Sequence, residues 1–185
     1  MARVPSLSPE TVAPEHRALL ARPIALNLAL VNSPGALRAF DGLGAYIRHR
    51  STLDGRLREL AILQVGYLAR APYEWSHHIK IGHEFGVTDA DIHALIAETE
   101  GRASPLAPRD RVVLAAAREI TAEGAVSAAT WVVLEGAFSA EHLVDLVVTI
   151  GFYCGVVRVL ASLEIAVEPE YMTYLEQFPL PGAPA

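Results

Sequence analysis

Cysteine is nearly absent from the chain, since Cys154 is the only one among 185 residues. A single cysteine excludes an intramolecular disulfide framework and any Cys-x-x-Cys site. Basic charge is scarce as well: 15 Lys and Arg residues face 21 Asp and Glu residues, which leaves a formal net charge of −6. A nucleic-acid-binding domain needs a basic patch, so this balance argues against that class and predicts no nucleic-acid partner.

Long hydrophobic runs are also missing. No stretch reaches eighteen uninterrupted apolar residues, and the nearest one, residues 144–157, is too short to cross a bilayer. We therefore expect no membrane span. Residues 1–10 lack the charged and then apolar layout of a signal peptide. The default expectation is a cytoplasmic protein.

Apolar residues are abundant overall. They make up 52% of the chain, against 19% charged residues, and 185 residues are enough for one domain with a buried core. So apolar a composition predicts that part of the surface is buried between subunits of a homo-oligomer.

The apolar residues recur at helical spacing, and no segment keeps a two-residue alternation, so we predict an all-α fold. Residues 85–92 recur weakly as residues 137–143, which suggests two similar helical units. Only the first unit carries polar chemistry. Capping and periodicity predict helices over residues 14–20, 23–31, 34–49, 55–70, 73–85, 89–98, 109–123, 128–137 and 140–165, with one more short helix near the end.

The helix expected between residues 71 and 86 has an anomalous apolar face. Pro72 suits its first turn and Gly86 the position just past its end. At about 100° per residue, Glu74 and His78 fall on the apolar face, one turn apart. Burial raises the pKa of a carboxyl group, and a neighbouring acid raises that of a histidine. Both shifts favour proton transfer near neutral pH.

Glu59, on the preceding and almost wholly apolar helix, is a third titratable group predicted to point inward. Two interpretations stay open at this point. The pair of Glu74 and His78 is either a sealed structural contact or an acid–base site in a pocket, and three inward titratable groups are more than packing needs. Tyr153 and Arg158, polar groups on a later apolar helix, cannot be placed from the sequence.

His77 and His83 fall on the opposite, polar face of the same helix, where we expect solvent or a subunit contact. A Glu-x-x-x-His pair can hold a divalent ion. Here such a site would have only Glu74 and His78 as ligands, because His77 and His83 point away from them. We predict no metal site.

Three segments form a recognisable set: Arg58-Glu59-Leu60-Ala61-Ile62-Leu63, Tyr73-Glu74-Trp75-x-x-His78 and Phe85-Gly86-Val87-Thr88-x-x-x-Ile92. Together they resemble the carboxymuconolactone decarboxylase / AhpD-like family. The match is best over residues 53–98 and weaker to about residue 165. The resemblance implies an AhpD-like helical bundle assembled as trimers or hexamers. It also implies a single domain over residues 1–185, with an N-terminal helical extension over 1–50 and a core over 53–165.

The AhpD branch of this family carries Cys-x-x-Cys-x-x-x-His on the helix, with an upstream glutamate as proton relay. In this chain His78 matches the histidine and Glu59 the glutamate, but the two cysteine positions are Ala71 and Glu74. Thiol peroxidase chemistry needs the thiolate pair. We expect Cys154, within an apolar helix, to be a small buried hydrophobe rather than a substitute.

The decarboxylase branch is similar in its His-Glu-Phe-x-x-His pattern, in which Glu74 and His78 match and Tyr73 replaces the first histidine. The resemblance implies decarboxylation, or a related proton transfer, on a small lactone or carboxylic acid from aromatic-compound catabolism, without a cofactor. Glu74 or His78 would deliver the proton, Glu59 would set their protonation, and Tyr73 and Trp75 would bind substrate.

Other functions remain open at this stage. The chain could be a non-catalytic member of the fold that binds a small molecule or serves in assembly. In that case Tyr73 or Trp75 would fill the pocket and the acid–histidine pair would be sealed. A metal-dependent enzyme and an AhpD-type peroxidase are the remaining alternatives.

Overall fold

The structure is a computed structural model, which describes residues 2–182. Within that range the chain is helical and contains no strand, so the all-α prediction is confirmed. Two 3-10 helices, Pro14–Leu20 and Pro169–Tyr171, accompany the α-helices. These are α1 (Ala25–Leu30), α2 (Pro34–His49), α3 (Gly55–Leu68), α4 (Pro72–Glu84), α5 (Asp89–Thr99), α6 (Pro108–Glu123), α7 (Ala128–Ala137), α8 (Ala140–Leu163) and α9 (Met172–Gln177).

Side-chain caps set the N-terminal boundaries of α3, α5, α7 and α8. The Asp54 carboxylate accepts a hydrogen bond of 2.9 Å from the Leu57 backbone N–H and so caps α3. Thr88 and Asp91 form the predicted capping box of α5. Ser139 caps α8 through the His142 backbone N–H, without the reciprocal contact that completes the capping box of α5.

Helix α3 lies at the centre of the bundle, where it packs against α4, α6 and α8. It is buried on nearly all sides, as its apolar sequence predicts. Helices α3 and α4 pack closely at Gly66, where a Cβ atom would lie 3.4 Å from the Trp75 backbone nitrogen. Glu59 and His78 lie on these two adjacent helices.

The N-terminal and C-terminal segments both pack onto the core. Helix α9 packs against α4, and the Trp75 indole N–H donates a 2.8 Å hydrogen bond to the Phe178 carbonyl oxygen. On the other side, Leu26 of α1 and Ile47 of α2 join the same hydrophobic core as α3 and α4. Helices α1 and α2 are therefore packed against the helices that carry the predicted site.

Helix α8 is the one described helix that is long and apolar enough to cross a membrane. Its best window has a mean hydropathy of 2.0, and 44% of that window is buried inside the fold. The buried core helix of a soluble protein passes the same test of length and composition. The expectation of no membrane span considered only uninterrupted apolar runs, and polar residues interrupt the apolar sequence of α8.

Candidate active site

A cavity of about 230 Å³ opens between the N-terminal helices and the core. It is smaller than the sites that hold drug-sized ligands, about 300–1,000 Å³, so it suits a small molecule. Four helices contribute to its wall: α1, α2, α4 and α8. The side chains that carry charge or a polar ring are Arg22, Asp41, Arg48, His49, Tyr73, Glu74, His77, His78 and Tyr153.

His78 lies between two carboxylates at the base of this cavity. Its Nδ1 atom is hydrogen-bonded to Glu59 Oε2 at 2.6 Å, and its Nε2 atom is ion-paired with Glu74 Oε1 at 2.8 Å. All three side chains are buried. Glu74 and His78 line the cavity, and Glu59 lies behind them. The structure thus brings together the three residues that the sequence singled out.

Arg58 contacts the end of this chain of contacts that lies farthest from the cavity. Its Nε atom donates a 3.0 Å hydrogen bond to Glu59 Oε1, and the pair is almost completely buried. The guanidinium also donates to the Arg48 carbonyl oxygen at 3.3 Å and lies 4.2 Å from the centre of the Phe85 ring. A buried carboxylate needs a counter-charge, and Arg58 supplies one to Glu59 from the side opposite His78.

The electrostatics favour a charged histidine. Burial disfavours the imidazolium, but the carboxylates of Glu74 and Glu59 outweigh burial and raise the pKa of His78 to about 9. Burial also opposes the ionised form of Glu59. The charges of His78 and Arg58 reverse that effect and lower the pKa of Glu59 below its ordinary value. At neutral pH the site therefore holds a proton on His78, between two oxygen acceptors.

Comparison with known proteins agrees with this arrangement. Residues 34–119, which include Glu59, Glu74 and His78, match the sequence model of the carboxymuconolactone decarboxylase family. The matched residues make up slightly less than half of the chain, and they agree with the resemblance seen in the sequence. No curated protein matches the chain in sequence.

Solved structures share the fold of this chain. An alkylhydroperoxidase AhpD core protein from Ralstonia eutropha JMP134, described as peroxidase-related, aligns with a TM-score of 0.78 and 18% identity, over 94% of this chain and 95% of that one. The debrominase Bmp8 in complex with 2,3,4-tribromopyrrole aligns with a TM-score of 0.72 and 20% identity, over 82% and 80% of the two chains. At these identities the likeness establishes the AhpD-like fold and not the activity.

No cysteine side chain lies at the candidate site in the described part of the chain. Ala71 and Glu74 occupy the positions at which the AhpD pattern carries cysteines. Cys154 is buried on α8, close to the Thr121 hydroxyl, and is not part of the cavity wall. Over residues 2–182, no group of three or more His, Cys, Asp or Glu side chains is arranged to hold a metal ion.

Tyr153 of α8 completes the wall beside His78. The ring of Tyr153 meets the His78 ring edge-on, with 4.9 Å between their centres. Burial raises the pKa of Tyr153 above its ordinary value, and Glu74 and Glu59 raise it further, so the hydroxyl stays protonated and can donate. Arg158 lies on the exposed side of the same helix, where it donates to the Cys154 carbonyl oxygen. Helical spacing alone could not decide which of the two polar groups faces inward.

The prediction that His77 lies in solvent or at a subunit contact is wrong. Its side chain is buried and lines the cavity, stacked between Tyr73 at 4.0 Å and Tyr171 at 3.6 Å. Its Nδ1–H donates to the Tyr73 carbonyl oxygen at 2.8 Å, and its Nε2 atom lies 3.2 Å from Glu168 Oε2. Burial lowers the pKa of His77, against the opposing effect of Glu168. The C-terminal segment covers this face, which helical periodicity could not reveal.

The remaining predicted residues divide between cavity, core and surface. Tyr73 lines the cavity, as its predicted role in substrate binding requires. Trp75 does not, because it lies in the core against Tyr67 and is hydrogen-bonded to the C-terminal segment. The structure thus places Trp75 outside the cavity wall for which it was predicted. His83 is exposed, as expected, and forms an ion pair of 3.0 Å with Asp89.

Proposed function

We propose that this protein is an enzyme that uses cofactor-independent acid–base chemistry on a small lactone or carboxylic acid. The reaction is a decarboxylation or a related proton transfer next to a carbonyl group, in the catabolism of aromatic compounds in the cytoplasm. The observation that carries this proposal is the buried chain Glu59–His78–Glu74, which ends in a cavity of small-molecule size.

The geometry supports proton delivery to the cavity. In a decarboxylation, the bond between carbon and the leaving carboxylate breaks, carbon dioxide departs, and the electron pair passes into the neighbouring carbonyl group. The carbon must then receive a proton. His78 holds that proton at neutral pH, and Glu74 faces the same cavity 2.8 Å away. Both ring nitrogens of His78 are held by carboxylates, so the proton would pass from His78 Nε2 to Glu74 and from there to the substrate, while Glu59 balances the charge behind them.

The open cavity favours catalysis over a non-catalytic role. A binding or assembly protein with a sealed acid–histidine pair would have Tyr73 or Trp75 filling the pocket. Here Tyr73 lies in the wall, Trp75 lies in the core, and Glu74 and His78 both face the free volume. The absence of thiols at positions 71 and 74 favours acid–base over thiol chemistry in this protein.

The test is turnover of lactone acids derived from aromatic compounds, followed by release of carbon dioxide. We expect kcat/KM to fall by about 10²–10⁴-fold in Glu74→Gln and in His78→Ala, the usual contribution of a positioned acid or base. His83→Ala is the matched control, because His83 is an exposed histidine on the same helix. Turnover at the parent rate in both site variants, with intact folds by circular dichroism, contradicts the proposal.

A further inference from the structure

Most charged groups at the cavity wall have an oppositely charged or polar partner, and Glu168, behind the wall, lies 3.2 Å from His77. Glu59 and Glu74 carry two negative charges, and His78 with Arg58 carries two positive ones. Asp41 lies within the electrostatic reach of Arg22, whose charge acts to lower the Asp41 pKa against the larger effect of burial. The remaining strong cation of the wall is Arg48.

Arg48 forms no salt bridge with any carboxylate in the described part of the chain, although it is half-buried in the cavity wall. A half-buried guanidinium without a counter-ion is costly, and an anionic ligand would remove that cost. Arg48 is therefore a strong cation of the wall that has no carboxylate partner in the described part of the chain.

The position of Arg48 is fixed from two sides. Its backbone carbonyl oxygen accepts a hydrogen bond from Arg58, which also holds Glu59. Its side chain and that of Tyr153 line the same cavity, and the guanidinium acts to lower the pKa of the Tyr153 hydroxyl against the larger effect of burial. Tyr153 in turn packs edge-on against His78. A ligand group held by Arg48 and Tyr153 is thus placed beside the ring of His78.

The donor chemistry fits a carboxylate. A guanidinium presents a planar fork of N–H donors that matches the two oxygens of a carboxylate, and the protonated Tyr153 hydroxyl adds one more donor. A phosphate monoester carries close to two negative charges at neutral pH, whereas Arg48 supplies one positive charge. A monoanion is the better electrostatic match.

We propose that Arg48 and Tyr153 form a binding subsite for the carboxylate of a monocarboxylic acid, in the cavity that Glu74 and His78 line. The subsite selects the substrate by charge and orients it towards the acid–base pair. Its role in turnover rests on the proposed function, but its role in binding does not. Arg48 lies within residues 34–119, which match the family model, and just before the motif segments over residues 53–98.

Direct binding tests the subsite without any need for turnover. Isothermal titration calorimetry of the full chain would use benzoate as the monoanion, benzamide as its neutral counterpart, and phenyl phosphate as the dianion. We expect benzoate to bind more tightly than both. Arg48→Gln should weaken benzoate binding by about ten- to a hundredfold and leave benzamide binding unchanged, because only the charged contact is lost.

Two further variants sharpen the result. Tyr153→Phe should weaken benzoate binding by about threefold to tenfold, because it removes one donor and keeps the ring. Arg38→Gln is the matched control, since Arg38 is an exposed arginine on the same helix and does not line the cavity. It should leave benzoate binding unchanged. If Arg48→Gln does not fold, Tyr153→Phe and the comparison of benzoate with benzamide still test the proposed subsite.

Any one of four results would contradict the proposed subsite. They are no benzoate binding to the parent at millimolar concentration, equal affinities for benzoate and benzamide, tighter binding of phenyl phosphate than of benzoate, and parent-like benzoate binding by folded Arg48→Gln. The two proposals fail separately. Parent-like turnover in Glu74→Gln and His78→Ala removes the proposed function while the binding result stands, and the reverse pattern removes only the subsite.

Discussion

The buried charge of His78 predicts an unusual dependence of stability on pH. The pKa of an unperturbed histidine is 6.5, and in the folded protein the two carboxylates raise it to about 9. Between these values the folded state binds a proton that the unfolded state has lost. The stabilisation is therefore complete below about pH 6.5 and is lost as pH rises through about 9.

The size of the effect follows from the same two values. One proton of difference changes the free energy of unfolding by about 1.4 kcal/mol per pH unit, which over about 2.5 pH units amounts to about 3 kcal/mol. His78 is buried, so solvent screening does not reduce this figure greatly. His77 has a lowered pKa and acts with the opposite sign, but below pH 6.5, outside this interval.

The assay is urea unfolding at pH values from 6 to 9.5, with the imidazole signals of His78 followed by NMR. Glu74→Gln removes one of the two carboxylates, so the pKa of His78 should fall and the loss of stability over this interval should shrink to less than half. His83→Ala, on the exposed face of the same helix, should behave like the parent. A free energy of unfolding that stays constant from pH 6.5 to 9 in the parent refutes the reasoning.

Two further predictions concern the segments around the core. Glu168→Ala should cost about 1–3 kcal/mol and speed amide exchange in α1, because Glu168 Oε1 accepts from the Ala25 N–H at 2.8 Å and the Tyr73 hydroxyl at 3.1 Å. Exposed Glu170→Ala is the control, and unchanged exchange in α1 would contradict the expectation. The predicted trimer or hexamer should appear in light scattering as three or six times 19.9 kDa, and Val144→Glu, on the 62% exposed position of α8, should lower that mass. A monomeric parent protein in light scattering would contradict the predicted oligomer.

Much of the fold and the centre of the site could be predicted because both depend on local patterns. Helix caps such as Thr88 and Ser139 act over three residues and set helix ends almost independently of the rest of the chain. Glu74 and His78 stood out because helical spacing places them on an apolar face. Glu59 stood out because its own helix is apolar nearly all round.

The rest of the site depends on contacts between segments far apart in the chain. Helical periodicity assigns His77 to a polar face, but residues 168–178 cover that face and bury it. The inward orientation of Tyr153, and the part that Arg48 takes in the cavity wall, likewise follow from how α2 and α8 pack against α4. No local pattern encodes such long-range packing.

The residue at position 74 decides which chemistry this fold can perform. The AhpD pattern places a cysteine there, and a thiolate in that position can exchange electrons through a disulfide. A carboxylate cannot, but it can accept and return a proton. Glu74 lies 2.8 Å from a histidine that is charged at neutral pH and is itself bound to Glu59 at 2.6 Å. The histidine and the inner glutamate of the resemblance are both kept, whereas Ala71 and Glu74 stand at the two cysteine positions. Under the proposed function, Glu74 accepts and returns the proton in place of a thiolate, and the bundle would serve proton transfer.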